Sequence, residues 1–96
     1  IIDSGADWCI FDAGLLDIFK LPLGDRTKFF SVSPEPLYGF KSKINLSITG
    51  KDFKTEVVFS SELGRHSYGI LGQKGFFDNF KACFDKSRNQ IEITPK

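Results

Sequence analysis

The chain opens with "IIDSGADWCIF" (1–11), in which two branched aliphatic residues run directly into Asp3, Ser4 and Gly5. The aliphatic pair is typical of a strand, and the glycine permits a sharp turn and the close approach of another backbone. A carboxylate held at such a strand end can act as a general base. Asp-Ser-Gly also occurs in ordinary turns, so this stretch alone leaves both interpretations open.

Composition indicates a single globular domain over residues 1–96. Of these residues 41% are hydrophobic, and the 11 phenylalanines suggest a core built on aromatic rings. Thirteen basic and twelve acidic residues leave a formal charge of +1, so we expect no nucleic acid and no membrane as a partner. No stretch resembles a signal peptide or approaches the roughly 20 apolar residues of a membrane span.

The two cysteines and the single histidine do not suggest a metal site. Cys9 and Cys83 each lie in an apolar, strand-like run, and we interpret both as buried free thiols, with a disulfide between them as the alternative. His66 has no cysteine or histidine near it at ligand spacing, so we expect no metal.

Most of the chain has a β pattern. Apolar and polar residues alternate over 44–48 and again over 53–59, which predicts two strands joined by a turn at "TGKD" (49–52). Alternation over 80–84 and 91–93 predicts a second, terminal hairpin.

Two segments are candidates for helix. Residues 13–19 form either a helical turn or an irregular loop. The segment "QKGFFDNF" (73–80) predicts one short helix near the C-terminus, limited in length by Gly75. The class is therefore all-β with one short C-terminal helix.

The stretch "SVSPEPLYGF" (31–40) interrupts the regular pattern. Pro34 and Pro36 lack backbone donors and exclude a central strand, while strand-like residues lie on both sides. We interpret the segment as the stiff tip of a long hairpin, which is either a lid or a plain surface loop. If it is a lid, its backbone contacts with substrate fall on Val32 and Ser33, because the prolines cannot donate.

A second segment changes the interpretation of the first. "YGILGQKGFFDNFKACFD" (68–85) contains an apolar pair followed by Gly72. Together, "IIDSGAD" and "GILGQKGFFDNF" resemble the catalytic loop and the second signature of the retropepsin-like aspartic proteases. The order of loop, flap hairpin, apolar-apolar-Gly and helix is also similar, so the resemblance covers nearly the whole chain.

The resemblance implies a fold and an activity. The fold would be a small closed β-barrel with a flap hairpin over 31–37, here lacking the strand or strands that precede the catalytic loop in the family. The activity would be aspartic endopeptidase cleavage of a peptide or protein substrate, without metal or organic cofactor. The alternatives are an inactive protease-like domain used for dimerisation or peptide binding, and one lobe of a longer pepsin-type enzyme.

The resemblance also implies roles for individual residues. Asp3 would be the catalytic carboxylate, Ser4 the hydroxyl that bonds across the dimer, and Gly5 a contact for the substrate backbone. Asp7 would also contact substrate backbone, and Ile70 would line a specificity pocket.

The chemistry requires two aspartates, and the sequence supplies one such motif. Two carboxylates about 3 Å apart share a proton, which leaves one as a base for water and the other as an acid for the leaving amide. Because Asp-Ser-Gly occurs once, the second Asp3 would come from a second copy across a two-fold axis. We therefore expect a homodimer.

One position differs from the viral members of the family. Those proteins often carry an arginine after the apolar-apolar-Gly signature, where it pairs with the acid at the position of Asp7. Here Gln73 and Lys74 follow Gly72, so we expect Asp7 to be held less firmly.

Overall fold

The computed structural model describes residues 1–22, 24–30, 35–63 and 69–96, with the side chain of residue 30 left out. Seven strands and one short helix lie within these ranges. They are β1 (Ile10–Asp12), α1 (Gly14–Ile18), β2 (Arg26–Phe30), β3 (Pro36–Ile48), β4 (Lys51–Ser60), β5 (Gly69–Ile70), β6 (Phe80–Asp85) and β7 (Gln90–Pro95). The protein is mostly β, as the alternation predicts.

The first sheet is built on a long central hairpin. Its five strands lie in the order β2-β3-β4-β1-β5. Strands β3 and β4 are antiparallel, and their tight turn places Thr49 at φ 49° and Gly50 at φ 82°. Positive φ at both turn residues matches the twist of the flanking strands, and a glycine adopts it without strain. The predicted hairpin at 44–59 is confirmed.

The hairpin that carries the expected lid is also formed. Strand β2 is antiparallel to β3, with Phe30 opposite Pro36 at the end nearest the tip. Residues 31–34, which include Val32, Ser33 and Pro34, lie outside the described residues. Whether this hairpin acts as a lid therefore stays a prediction.

The remaining strands bring distant parts of the chain together. Strand β1 is parallel to the end of β4 and antiparallel to β5, with Ile10 beside both Val58 and Ile70. Strands β6 and β7 form a separate two-stranded sheet, with Phe84 opposite Ile91. The predicted terminal hairpin is confirmed, and its turn contains a short 3₁₀ segment at Lys86–Arg88.

Apolar side chains cover both faces of the first sheet. The larger cluster is rich in phenylalanine, as expected, and the rings of Phe76 and Phe80 stack at 5.4 Å. The smaller cluster lies on the other face around Ile10, Phe29 and Val58. Because β4 is central, its last four residues are all buried.

The structure corrects the predicted helix and leaves the predicted barrel unconfirmed. The predicted helix at 73–80 is a series of turns, because Gly75 has φ 100°, outside the helical region. Among the described residues the α-helix is α1 instead, so the segment 13–19 contains a helical turn. In the described part of the chain the sheets do not close into a barrel, so the closed barrel is not confirmed.

A second correction concerns the cysteines. Both are free, but only Cys9 is buried. Cys83 lies between Ala82 and Phe84 on β6, so its side chain points to the opposite face from theirs and is exposed. Within the described ranges, no helix is long and apolar enough to cross a membrane.

Candidate active-site loop

The turn at residues 3–7 lies between two stretches that pair with the same distant segment. The backbone N–H of Asp3 donates to the Leu71 carbonyl at 2.9 Å, and the Leu71 N–H donates to the Ile1 carbonyl at 2.7 Å. Ile2 and Leu71 thus form a parallel bridge, while β1 runs antiparallel to β5 on the other side. Residues 69–71 are therefore held between the two stretches that enter and leave the turn.

Backbone bonds continue along the return side of the turn. The Gln73 N–H donates to the Ala6 carbonyl at 2.8 Å, and the Lys74 N–H donates to the Asp7 carbonyl at 2.9 Å. The Gln73 side chain adds a bond from Nε2 to the Ser4 carbonyl at 2.7 Å. The turn is thus fixed on both sides by residues 71–74.

Gly72 lies directly beneath the turn and is buried. A β-carbon there would stand 2.2 Å from the Trp8 carbonyl oxygen and 2.6 Å from that of Ala6. Those distances are far below van der Waals contact, and the atoms met are backbone atoms that cannot rotate away. Only glycine fits at this position without moving the turn.

The Asp3 carboxylate is exposed and oriented from within its own turn. Its Oδ1 accepts a hydrogen bond from the Gly5 N–H at 2.9 Å, and a β-carbon on Gly5 would lie 3.3 Å from the same oxygen. Gly5 does not have a positive φ, so its role here is close approach to the carboxylate. Ser4 is exposed, and its hydroxyl has no hydrogen-bond partner within the described part of the chain.

The structure contains an internal comparison for this turn. Asp12 Oδ2 accepts a hydrogen bond from the Gly14 N–H at 3.0 Å, so Asp-Ala-Gly at 12–14 repeats the local geometry of Asp-Ser-Gly at 3–5. The carboxylate-to-glycine bond is therefore a common local feature. The backbone pairing with residues 71–74 distinguishes the Asp3 turn.

Asp7 and Ile70, two of the remaining predicted contact residues, lie in or beside the same loop. Asp7 is exposed, and among the described residues no side chain pairs with its carboxylate. Ile70 is half-buried and packs with Ile10, Val58 and Trp8 in the smaller apolar cluster. Val32 and Ser33 lie outside the described residues.

Trp8 carries a feature that the sequence does not reveal. Lys41 Nζ lies 4.9 Å and Lys74 Nζ 4.7 Å from the centroid of its ring. Ammonium groups are attracted to the negative face of an aromatic ring, by about 0.5–1 kcal/mol at exposed sites. The two lysines are 33 positions apart in sequence, and only the strand pairing brings them to the same ring.

Cys9 lies immediately below the loop and is fully buried. Burial raises the pKa of its thiol, although backbone N–H groups of Gly72 and Phe76 and the nearby Asp78 carboxylate also act on it. The N–H groups favour the thiolate and Asp78 opposes it, so desolvation dominates. Cys9 is therefore a packing residue rather than a nucleophile at neutral pH.

Other kinds of site find no support in the described residues. No group of three or more His, Cys, Asp or Glu side chains there could hold a metal ion, and His66 lies outside those residues.

Comparisons with family models, with curated proteins and with solved structures find no match for this chain. The functional interpretation therefore rests on the loop and its surroundings.

Proposed function

We propose that the chain is an aspartic endopeptidase of the retropepsin-like class, active as a homodimer in which two Asp3 carboxylates share one site. The observation that carries the proposal is the fixed turn at residues 3–7. Residues 71–74 bond to it on both sides, Gly72 packs beneath it, and the Asp3 carboxylate is exposed. These backbone bonds to a distant segment distinguish the Asp3 turn from the similar turn at Asp12.

The carboxylate geometry suits the shared-proton chemistry. The Gly5 N–H donates to Oδ1 of Asp3, so Oδ2 can bind a water molecule or the second carboxylate. The ionised member of the pair takes a proton from water as the oxygen attacks the peptide carbonyl carbon. The protonated member donates to the carbonyl oxygen. The first carboxyl group then passes the proton taken from water to the amide nitrogen, and the C–N bond breaks. A hydroxyl of the tetrahedral intermediate returns a proton to the second carboxylate, which regenerates the pair.

The terminal hairpin supports assembly of two copies. Phe80 is buried in the core, but farther along the same face Phe84 is 56% exposed, and Ile91 opposite it is 52% exposed. Two large apolar side chains paired across strands and left in solvent are typical of an interaction surface. A second copy would cover them and bring its own Asp3.

The experiment that tests the proposal compares two aspartates with the same local hydrogen bond. We expect Asp3→Asn to lower peptide hydrolysis by roughly 10²–10⁴-fold at roughly pH 4 to 6, because the pair loses its base. Asp12→Asn changes the equivalent turn at 12–14 and is expected to retain activity. The measurement is cleavage of an apolar peptide library by mass spectrometry.

Two outcomes would contradict the proposal. Equal hydrolysis by Asp3→Asn and the parent protein would exclude Asp3 as the catalytic group. Absence of hydrolysis by a folded, dimeric parent protein would favour an inactive domain that dimerises or binds peptides.

A further inference from the structure

The surface next to Asp7 combines an aromatic ring with two cations. Trp8 is half-buried, and Lys41 Nζ and Lys74 Nζ lie 4.9 Å and 4.7 Å from its ring centroid. The two ammonium groups can therefore be separated by no more than the sum of these distances. That separation is comparable with the Debye length of about 8 Å at physiological ionic strength, so the two charges repel each other.

The positive charge at Trp8 is only partly neutralised. Lys74 forms an ion pair with Glu56 at 3.3 Å. Lys41 has no acidic side chain within ion-pair distance among the described residues. A carboxylate placed beside Lys41 would relieve the repulsion and could accept charge-assisted hydrogen bonds.

The cationic surface continues as a groove. An open groove of about 660 Å³ begins at Lys74, and Lys43 and Lys54 line it together with Glu56 and Asp78. Three lysines and two carboxylates leave an excess of positive charge along it. The groove therefore carries one excess positive charge, which adds to that of Lys41.

Lys41 also borders the apolar cluster that contains Ile70. In the β3–β4 ladder Lys41 lies directly opposite Val58, so the two side chains share one face of the sheet. Val58 packs in the smaller cluster with Ile10, Ile70 and Trp8. A peptide lying over this cluster would thus reach Lys41 at its edge.

We infer that Trp8, Lys41 and Lys74 form a subsite for an acidic side chain, Asp or Glu, of a peptide bound over the smaller apolar cluster. The inference rests on the proposed endopeptidase function and specifies its substrate class. The formal charge of +1 for the whole chain favours a local carboxylate site over an extended nucleic-acid surface, since the latter needs many phosphate contacts.

The single tryptophan gives a direct readout of this subsite. Trp8 is the only tryptophan, so intrinsic tryptophan fluorescence reports on its ring alone. The titration uses Asp3→Asn protein, which prevents cleavage, and two apolar octapeptide sets that differ only in Glu or Gln at one scanned position. We expect one Glu position to change the fluorescence and to bind roughly tenfold more tightly than its Gln partner, as for one charge-assisted hydrogen bond.

Lysine variants identify the groups responsible. Lys41→Gln and Lys74→Gln are each expected to reduce the Glu-over-Gln preference several-fold, and raised salt should reduce it in the parent protein. The matched control is Lys81→Gln, since Lys81 is an exposed lysine on β6 in the other sheet. We expect the control to keep the full preference.

The possible results separate this inference from the proposed function. Cleavage by the wild-type chain with no preference for Glu at any position would overturn the subsite alone. Tight, salt-sensitive binding of Glu peptides without cleavage would support the subsite and overturn the endopeptidase. A single-stranded oligonucleotide that matches the Glu peptides in affinity and fluorescence change would overturn the peptide assignment.

Discussion

Gly72 is the residue on which the shape of the Asp3 loop depends most directly. Its α-carbon faces the carbonyl oxygens of Ala6 and Trp8, and no side chain can be added without moving one of them. The requirement comes from packing rather than from backbone conformation, because Gly72 does not have a positive φ. Substitution here tests whether the loop needs the support beneath it.

We expect Gly72→Ala to lower the free energy of unfolding by about 1–3 kcal/mol, the usual cost of overpacking. Gly69→Ala, in the same segment, is the matched control. Its β-carbon would meet mainly the Phe11 ring, at 3.0 Å, and a side chain can move aside. Urea unfolding of both variants provides the measurement, and equal losses would contradict the role given to Gly72.

Cys9 makes the free energy of unfolding depend on pH, in a direction that follows from the burial of its thiol. Because burial raises the pKa of this thiol in the folded state, the unfolded chain ionises first. The buried Cys9 thiol stabilises the folded protein in full below the unfolded-state pKa of about 8.5. This contribution is lost as the pH rises through the folded-state pKa. The free energy of unfolding should therefore fall more steeply above that pH in the parent protein than in Cys9→Ala.

The exposed Cys83 supplies the control for this prediction. Cys83→Ala should keep the steep fall, and a thiol reagent should modify Cys83 in the native protein but reach Cys9 only on unfolding. Urea unfolding at pH 7 and at about pH 9.5 measures the difference. Identical pH profiles for the parent protein and Cys9→Ala would contradict the assignment.

At the scale of elements, the terminal hairpin makes the homodimer testable. We expect activity per molecule to rise with protein concentration, because each site needs two chains. Phe84→Ser removes an exposed apolar side chain from the hairpin and should raise the dimer dissociation constant by at least about tenfold. Sedimentation equilibrium and a dilution series of the activity measure the two effects.

The control for the hairpin is an exposed phenylalanine elsewhere. Phe19, at the end of α1, is 65% exposed, and Phe19→Ser should leave dimerisation unchanged. A chain that stays monomeric at every concentration and is nevertheless active would contradict the homodimer. That result would favour one lobe of a longer enzyme.

The elements also differ in how far the sequence predicts them. Both hairpins, at 44–59 and at 80–93, follow from alternation, because a strand's pattern and its turn are local. The helix predicted at 73–80 fails because this segment bonds to the loop at 3–7, and Gly75 turns the chain accordingly. The spacing of its apolar residues fits a helix as well as it fits the observed turns, so periodicity could not distinguish the two structures.

In the candidate site, too, the sequence predicts local features but not contacts between distant residues. The Asp3 turn is visible in the sequence as a motif. The Gln73 bond to the Ser4 carbonyl and the position of Lys41 beside Trp8 depend on strand register, which no short pattern contains. In the sequence, Gln73 is notable only because the viral proteins that the chain resembles often carry an arginine there, and in the structure its amide bonds to the turn itself.

At the scale of the whole molecule, the sheet order joins the beginning of the sequence to its later part. Strand β1 lies between β4 and β5, and it pairs with Val58 of β4 and Ile70 of β5, both far from Ile10 in the sequence. The apolar clusters on the two faces of the sheet are likewise built from residues of several distant segments. No short fragment of the chain could bury them.

The pairing of residues 69–71 with both sides of the Asp3 turn has a consequence for biosynthesis. The Gln73 amide reaches the Ser4 carbonyl across 69 positions, so the contact order of this site is high. While a ribosome is still adding residues 60–70, the segment 1–11 is already made but lacks its partner. The nascent chain therefore carries Asp3 in an unformed turn, and the turn reaches its folded form only after the later strands have been synthesised.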